Sequence, residues 1–486
     1  MPVPVISVAQ MREWEQATWD AGVKEADVIR QVGRSLQAWL MDRVAWSVDE
    51  LLIVAGKGNN GEDARQCAPV FEEFGMEPPK IVNVKDPAAD LPALEQALSG
   101  ARKRGVIDAL FGIGLNRPLN DDWIRVIECI NESATAIFSV DCPSGLHADT
   151  GAPMGAAIRA TRTLTLGAPK RGLLAAQASE YVGGLDLESC IGLVAHPLES
   201  GLQWVIPQDF QGYPPVRSVA SHKGAQGHVA VIAGSVGYHG AAVLAAEGAL
   251  SAQPGLTTVL THEGCYEPVA AQLKAAMVHP WSRTPKLPEK CTAALIGPGL
   301  ASEDLPGSLR EFARSLWRES DVPVIADASV LDWLPEGATS DGQLRVITPH
   351  PGEAARMLRT TAKAVQADRR GALLELSARF GGCWVVLKGH QTLIGREHGE
   401  VSVNSTGNPL LAQGGSGDVL AGFIAGLLAQ PALAKDAGKA LRYGVWAHGH
   451  VADRAAWSGT GLAISELPGL LRRQGGEEEL AGDPGG

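Results

Sequence analysis

The residues best placed by type and spacing to do chemistry lie at glycine-rich junctions. Asp418 is the clearest, within the run NSTGNPLLAQGGSGDVLAGFIAGLLAQ from Asn404 to Gln430. Gly414, Gly415 and Gly417 permit a tight turn with exposed backbone N–H groups, and the apolar run from Val419 predicts a helix whose N-terminus faces that turn. Such an end attracts anions. A carboxylate beside it suits proton abstraction from a hydroxyl that is receiving a phosphoryl group, although the same acid could only cap the helix. Lys388-Gly389-His390-Gln391-Thr392 supplies a cation and a hydroxyl, a reasonable grip on nucleotide phosphates. His350, between Pro349 and Pro351, is expected in a rigid loop.

A second set lies in the first half. Asn59 and Asn60, within GKGNNGED at Gly56–Asp63, each offer a carbonyl oxygen and two N–H donors, able to ligate a cation or to hold ribose and phosphate. Asp108 and Asp141 each end an apolar run and could either line a site or cap the next turn. Cys142 has no neighbouring His and reads as a small packing residue, while Lys170 and Arg171 in LGAPKRGLL read as a solvated turn.

The elements that must position these residues follow from periodicity. Helices are predicted from Val5, with Met11, Trp14, Thr18 and Ala21 at helical spacing, and from Ala26 to Val44. Short buried strands are predicted at Leu51–Ala55, Ile81–Val84, Gly105–Phe111 and Ala136–Asp141, and in the second half at Val229–Ala233, Ala293–Ile296, Val324–Ala328, Val346–Ile347 and Trp384–Leu387. Strand, glycine turn and helix in succession are the phosphate-binding opening of doubly wound sheets, whose ligands sit at the carboxyl ends of the strands. A stretch rich in Pro and Gly between Leu193 and Ser221 reads as an inter-domain crossing. The expected division is therefore 1–210, 211–475 and a disordered acidic tail, 476–486.

Composition narrows the class. With 486 residues the chain should hold about two to four domains. A formal charge of −12 without any Lys/Arg run argues against nucleic acid as a partner. Seven scattered cysteines form neither a disulfide framework nor a zinc pattern, so a reducing cytoplasm is expected. No signal peptide is evident, and the longest apolar run falls short of the roughly 20 residues that span a bilayer, so no membrane role is expected.

Taken in order, GKGNNGED, DALFGIGLNRPL and SVDCPSGLHADTG resemble the NAD(P)H-hydrate epimerases, and HKGAQGHVAVIAGSVGYHGAAVLAAEGAL, TPHPGE and NSTGNPLLAQGGSGDVLAG resemble the nucleotide-dependent NAD(P)H-hydrate dehydratases. The resemblance implies an α/β chain of two three-layer domains, an N-terminal Rossmann-like domain and a C-terminal ribokinase-like domain. It implies that Asn59, Asn60, Gly61, Glu62 and Asp63, with Gly112, Ile113, Gly114, Leu115, Asn116, Arg117 and Pro118, hold the dinucleotide. It also implies that Asn60, Asp108 and Ser144 bind K+, and that Asp141 meets the hydrated ring. In the second domain it implies Ala242, Gly299, His350 and Asp418 at the substrate, and Lys388, Gly389, His390, Gln391, Thr392 and Gly417 at the nucleotide. Asp327 could be an ordinary strand-end acid, or a cation ligand as in the wider superfamily.

The implied reaction is repair of the NADH and NADPH hydrates, NADHX and NADPHX. The first domain would interconvert R and S epimers, and the second would dehydrate the S form with ADP (ATP being possible) and Mg2+. A homo-oligomer is expected. Glu62 departs from the family pattern NNGGD; if that position needs positive φ, a glutamate would strain the loop and weaken epimerisation. A small-molecule kinase fused to a non-catalytic dinucleotide-binding domain is the alternative.

Overall fold

The computed structural model describes residues 3–43, 48–100, 103–303, 305–339 and 342–477. The chain divides into two compact units, one of Val3–Gly201 and one beginning at Leu202. The division precedes the expected boundary at 210 because the strand Leu202–Trp204 pairs in parallel with Val401–Val403, which commits it to the second unit. Of the expected tail, Gly476 and Glu477 belong to the helix Leu467–Glu477, and residues 478–486 lie outside the described residues.

The first unit is built on a six-stranded sheet, in the spatial order Lys80–Asn83, Glu50–Ala55, Arg104–Ala109, Ala136–Val140, Arg162–Leu166 and Gly184–Glu188. Every pairing is parallel. Ile53, Val54, Val106 and Ile107 have no exposed surface, as expected of parallel strands covered on both faces. The order reverses between Glu50–Ala55 and Arg104–Ala109, so a crevice opens at their carboxyl ends, the ligand position for such sheets. Helices Val8–Asp20, Glu25–Arg43 and Asn59–Glu73 border it; Val44, expected to end the second, lies outside the described residues.

In the second unit the strands run, in space, Leu202–Trp204, Val401–Val403, Leu393–Gly395, Trp384–Leu387, Arg345–Ile347, Val324–Ala326, Ala293–Ile296, His228–Ile232, Leu256–His262 and Met277–Trp281. Leu393–Gly395 is antiparallel to both neighbours, and the remaining pairs are parallel. The order reverses between His228–Ile232 and Ala293–Ile296.

Against this sheet the helices His239–Ser251 and Ser416–Leu428 pack almost backbone to backbone. A Cβ on Gly422 would lie 1.9 Å from the Ala245 carbonyl oxygen, and one on Gly248 would lie 2.2 Å from that of Val419. The small residues of the first helix are what admit the second, and this contact sets the height of the Asp418 turn above the sheet. No helix among the described residues is long and apolar enough to cross a membrane.

Candidate functional sites

In the first unit the crevice is a cavity of about 1210 Å³. Its wall includes Asn59, Asn60 and Asp63 at the start of one helix, the whole loop Gly112–Pro118, and Asp141. The helix enters close under the preceding strand: a Cβ on Gly61 would stand 2.4 Å from the Gly56 carbonyl oxygen, so glycine is required there by contact. Gly61 and Glu62 do not line the cavity.

Glu62 is not in a strained loop. It occupies the first turn of the helix Asn59–Glu73, outside the positive-φ residues, and accepts from Arg65 Nε at 2.9 Å and Gln66 Nε2 at 3.1 Å. These bonds hold its carboxyl below the usual range. The expected strain is therefore absent, because the helix begins before this position and directs its side chain along the helix surface.

Asn60 and Ser144 converge on Phe111, and Ser144 ties Asp108 to the same turn. The Phe111 carbonyl accepts from Asn60 Nδ2 at 3.1 Å and Ser144 Oγ at 3.2 Å, and its N–H donates to Ser144 Oγ at 2.9 Å. Asp108, fully buried, accepts from Ser139 Oγ at 2.8 Å and from the Ser144 N–H at 2.9 Å. Burial raises its pKa despite those bonds, and no cationic side chain among the described residues forms an ion pair with it. The buried Oδ1 of Asn60 has no hydrogen-bond partner. An orphaned amide oxygen and a buried carboxylate are donors that could hold a hard cation.

Lys170, expected in a solvated turn, is fully buried and forms an ion pair with Asp141 at 2.5 Å. The strand Arg162–Leu166, which the sequence reading did not include, explains why. The Leu166 carbonyl accepts from Lys170 Nζ at 2.7 Å, and the Leu166 N–H donates to Asp141 Oδ1 at 3.3 Å. Asp141 itself has φ 63°, a left-handed conformation that points its carboxyl back over the strand ends. Glu15, from the helix Val8–Asp20, also lines the cavity, and burial followed by Asp141 raises its pKa. No local sequence signal marks Lys170 or Glu15; only the fold brings them to Asp141.

In the second unit Asp418 stands in the first turn of Ser416–Leu428, after Gly415 at φ 95°. Burial and the neighbouring Asp327 push its carboxyl up to about 7, against the opposing pull of Lys388. Lys388 Nζ lies 2.9 Å from Asp327 Oδ1 and 3.8 Å from Glu353 Oε2, and 3.3 Å from where a Cβ of Gly417 would stand. Burial works against its charge, but Asp327 and Glu353 outweigh it and raise its pKa. Thr348 Oγ1 donates to Asp327 at 2.7 Å.

His350 is more exposed than expected of a site residue. Its Nδ1 accepts from the N–H groups of Gly352 and Glu353, and Glu353 returns a 2.8 Å bond to the His350 N–H. This capping box fixes the Glu353 carboxylate near Lys388. Gly299, at φ 66°, passes 2.6 Å (as an added Cβ) from the Tyr238 carbonyl oxygen, next to the helix carrying the buried Ala242. The Lys388–Thr392 loop is braced by Arg369, which donates to the carbonyls of Leu387 and His390, and Thr392 Oγ1 donates to the Gly389 carbonyl at 3.0 Å. His448, unmarked in the sequence, is buried with Nε2 3.1 Å from the Ser416 carbonyl; burial lowers its pKa to about 4. No group of three or more His, Cys, Asp or Glu among the described residues is arranged to hold a metal ion.

A family model described as NAD(P)H-hydrate dehydratase matches residues 229–466, and one described as YjeF-related protein N-terminus matches residues 71–172. The "Bifunctional NAD(P)H-hydrate repair enzyme Nnr" of Coxiella burnetii is 34% identical over 489 residues, covering 95% of this chain and 97% of that one. Its namesake in Escherichia coli is 33% identical over 444 residues, covering 87% and 84%. Among solved structures, an ADP/ATP-dependent NAD(P)H-hydrate dehydratase from Bacillus subtilis, co-crystallized with ATP/Mg2+, is 31% identical and covers 53% of this chain and 92% of its own, with a TM-score of 0.47. The chain belongs to the family of bifunctional NAD(P)H-hydrate repair enzymes.

Proposed function

We propose that the chain restores NADH and NADPH from both epimers of their hydrates, the first unit interconverting R and S forms and the second dehydrating the S form at the expense of ADP. The observation that carries the second step is Asp418, a carboxyl brought to about 7 at a glycine-rich helix N-terminus, with Lys388 beside it. A base of that strength can take the proton of the substrate hydroxyl near neutral pH as the oxygen attacks the terminal phosphate of ADP. The backbone N–H groups of Gly415–Gly417 and the Lys388 ammonium then face the charge on the transferred phosphoryl group. Phosphate leaves as the ring-nitrogen electrons fill in, a proton is lost from the adjacent ring carbon, and AMP, phosphate and NAD(P)H are the products.

Lys388 already satisfies Asp327 and Glu353, so Mg2+ would enter with the nucleotide phosphates and take few ligands from the protein. In the first unit K+ would be held by Asn60 Oδ1, Asp108 and Ser144, where it would balance the buried carboxylate and steady the Phe111–Pro118 loop against the dinucleotide. NADHX and NADPHX are the substrates, and the unpaired cysteines support a cytoplasmic setting.

The test is recovery of the nicotinamide absorbance from a mixed R and S hydrate preparation with ADP, Mg2+ and K+. Recovery of the whole mixture faster than spontaneous epimerisation is expected. Recovery of the S fraction alone would reduce the first unit to a scaffold, and no recovery with ADP or ATP would overturn the dehydratase assignment.

A further inference from the structure

The first-unit cavity holds two carboxyls in opposite circumstances. Asp141 has an ammonium partner, Lys170, at 2.5 Å. Asp63 has none: it is 9% exposed, lines the same cavity, and no hydrogen bond or ion pair among the described residues engages its carboxyl. The charges that act on it most strongly are of its own sign, Asp141 across the cavity and Glu15 and Glu25 from the two N-terminal helices, with the neighbouring Glu62 adding to them; Arg12, Lys57, Lys85 and Arg117 line the same cavity, but none forms an ion pair with it. Lys170 is committed to Asp141 and the Leu166 carbonyl. A carboxyl so placed is a poor seat for a phosphate or for a second anion.

Resting on the epimerase reading above, we propose that Asp63 is a catalytic residue of that reaction, the proton donor to the substrate hydroxyl, with Asp141 as its basic counterpart, and not a ribose or phosphate contact. Asp63 gives its proton to the hydroxyl oxygen on the ring carbon beside nitrogen. The C–O bond breaks, water departs, and the nitrogen lone pair forms a C=N bond. Water then adds to the opposite face, the C=N electrons return to nitrogen, and Asp141 takes the surplus proton. Exchange of that proton through the cavity resets the pair, and the carboxylates around it favour the cationic intermediate. Burial, then Asp141 and Glu15, raise the Asp63 carboxyl to about 8, so it carries the required proton at neutral pH.

The experiment compares wild type with Asp63→Asn and Asp63→Glu in the full chain, following exchange between R and S hydrates by chromatography. Dehydration of purified S hydrate in the same preparations counts the chains with an active second unit, and the near-UV circular dichroism and urea unfolding of each variant against wild type report that the first unit, Val3–Gly201, is folded. For Asp63→Asn, kcat should fall by about 100-fold or more with KM within about threefold, the range for loss of a general acid. Wild-type kcat should decline as pH rises through about 8, and Asp63→Glu should keep part of the rate together with that decline. A raised KM at unchanged kcat, or an unchanged rate in Asp63→Asn, would overturn the assignment while leaving the epimerase intact. A wild type that does not accelerate exchange would overturn the epimerase reading itself.

Discussion

Replacing Asp418 with Asn should abolish dehydration and at the same time stabilise the second unit, in a way that depends on pH. In the folded protein the carboxyl titrates at about 7, against an ordinary 3.8, because burial and Asp327 oppose its charge. A raised carboxyl pKa means that the unfolded chain ionises first. Its contribution to stability is thus intact below about 3.8 and is lost progressively as pH rises to about 7. At about 1.4 kcal/mol per pH unit, that loss is slightly above 4 kcal/mol in full, most of it falling between pH 4 and pH 8. Asn cannot ionise and escapes it. The stability of Asp418→Asn relative to wild type should therefore grow by up to about 4 kcal/mol between pH 4 and pH 8, with relaxation and water entry reducing the observed figure. Urea unfolding at both pH values, with amide hydrogen exchange of the helix Ser416–Leu428 to identify the transition, measures it. Wild-type kcat/KM for dehydration should rise through about pH 7. An equal stability difference at both pH values would refute the argument, since it would mean that Asp418 pays no burial cost on ionising.

Three further outcomes follow from contacts. Lys170→Met strands Asp141 in a buried site and should cost about 3–5 kcal/mol along with epimerase activity; a loss below about 1 kcal/mol on urea titration would show the ion pair to be dispensable. Glu62→Gly should leave the epimerisation rate unchanged and lower stability by about 1 kcal/mol, because a helix-forming residue with two hydrogen bonds is exchanged for glycine; a faster enzyme would restore the strain argument. Gly422→Ala puts a methyl group 1.9 Å from the Ala245 carbonyl oxygen, so the helices must separate, at about 1–3 kcal/mol or more, and dehydratase kcat should fall with the displaced Asp418 turn; a fully active, equally stable variant would count against the close packing.

Much of this was legible from the residues in order. Buried parallel strands are nearly continuous apolar runs, so Glu50–Ala55, Arg104–Ala109, Ala136–Val140 and His228–Ile232 announce themselves, and the glycine-rich loops after them mark the carboxyl edge where ligands bind. Less apolar or shorter strands did not. Arg162–Leu166 and Gly184–Glu188 lack such runs, and Leu393–Gly395 and Val401–Val403 are too brief for periodicity to register.

Sequence alone determined the chemical identity of the sites: the amides at Asn59 and Asn60, the acids at Asp108, Asp141 and Asp418, and the glycines that let backbone approach. Tertiary structure decided which charges meet. Lys170 reads as a surface lysine until the strand Arg162–Leu166 buries it against Asp141; Glu15 reads as the polar face of a helix until that helix closes the cavity. Glu62 reads as an intruder in a glycine loop until the loop proves to be the first turn of a helix. Local pattern fixes a residue's type and backbone preference, whereas the energy of a charge depends on partners distant in the chain, and those are assigned only when the sheet is assembled.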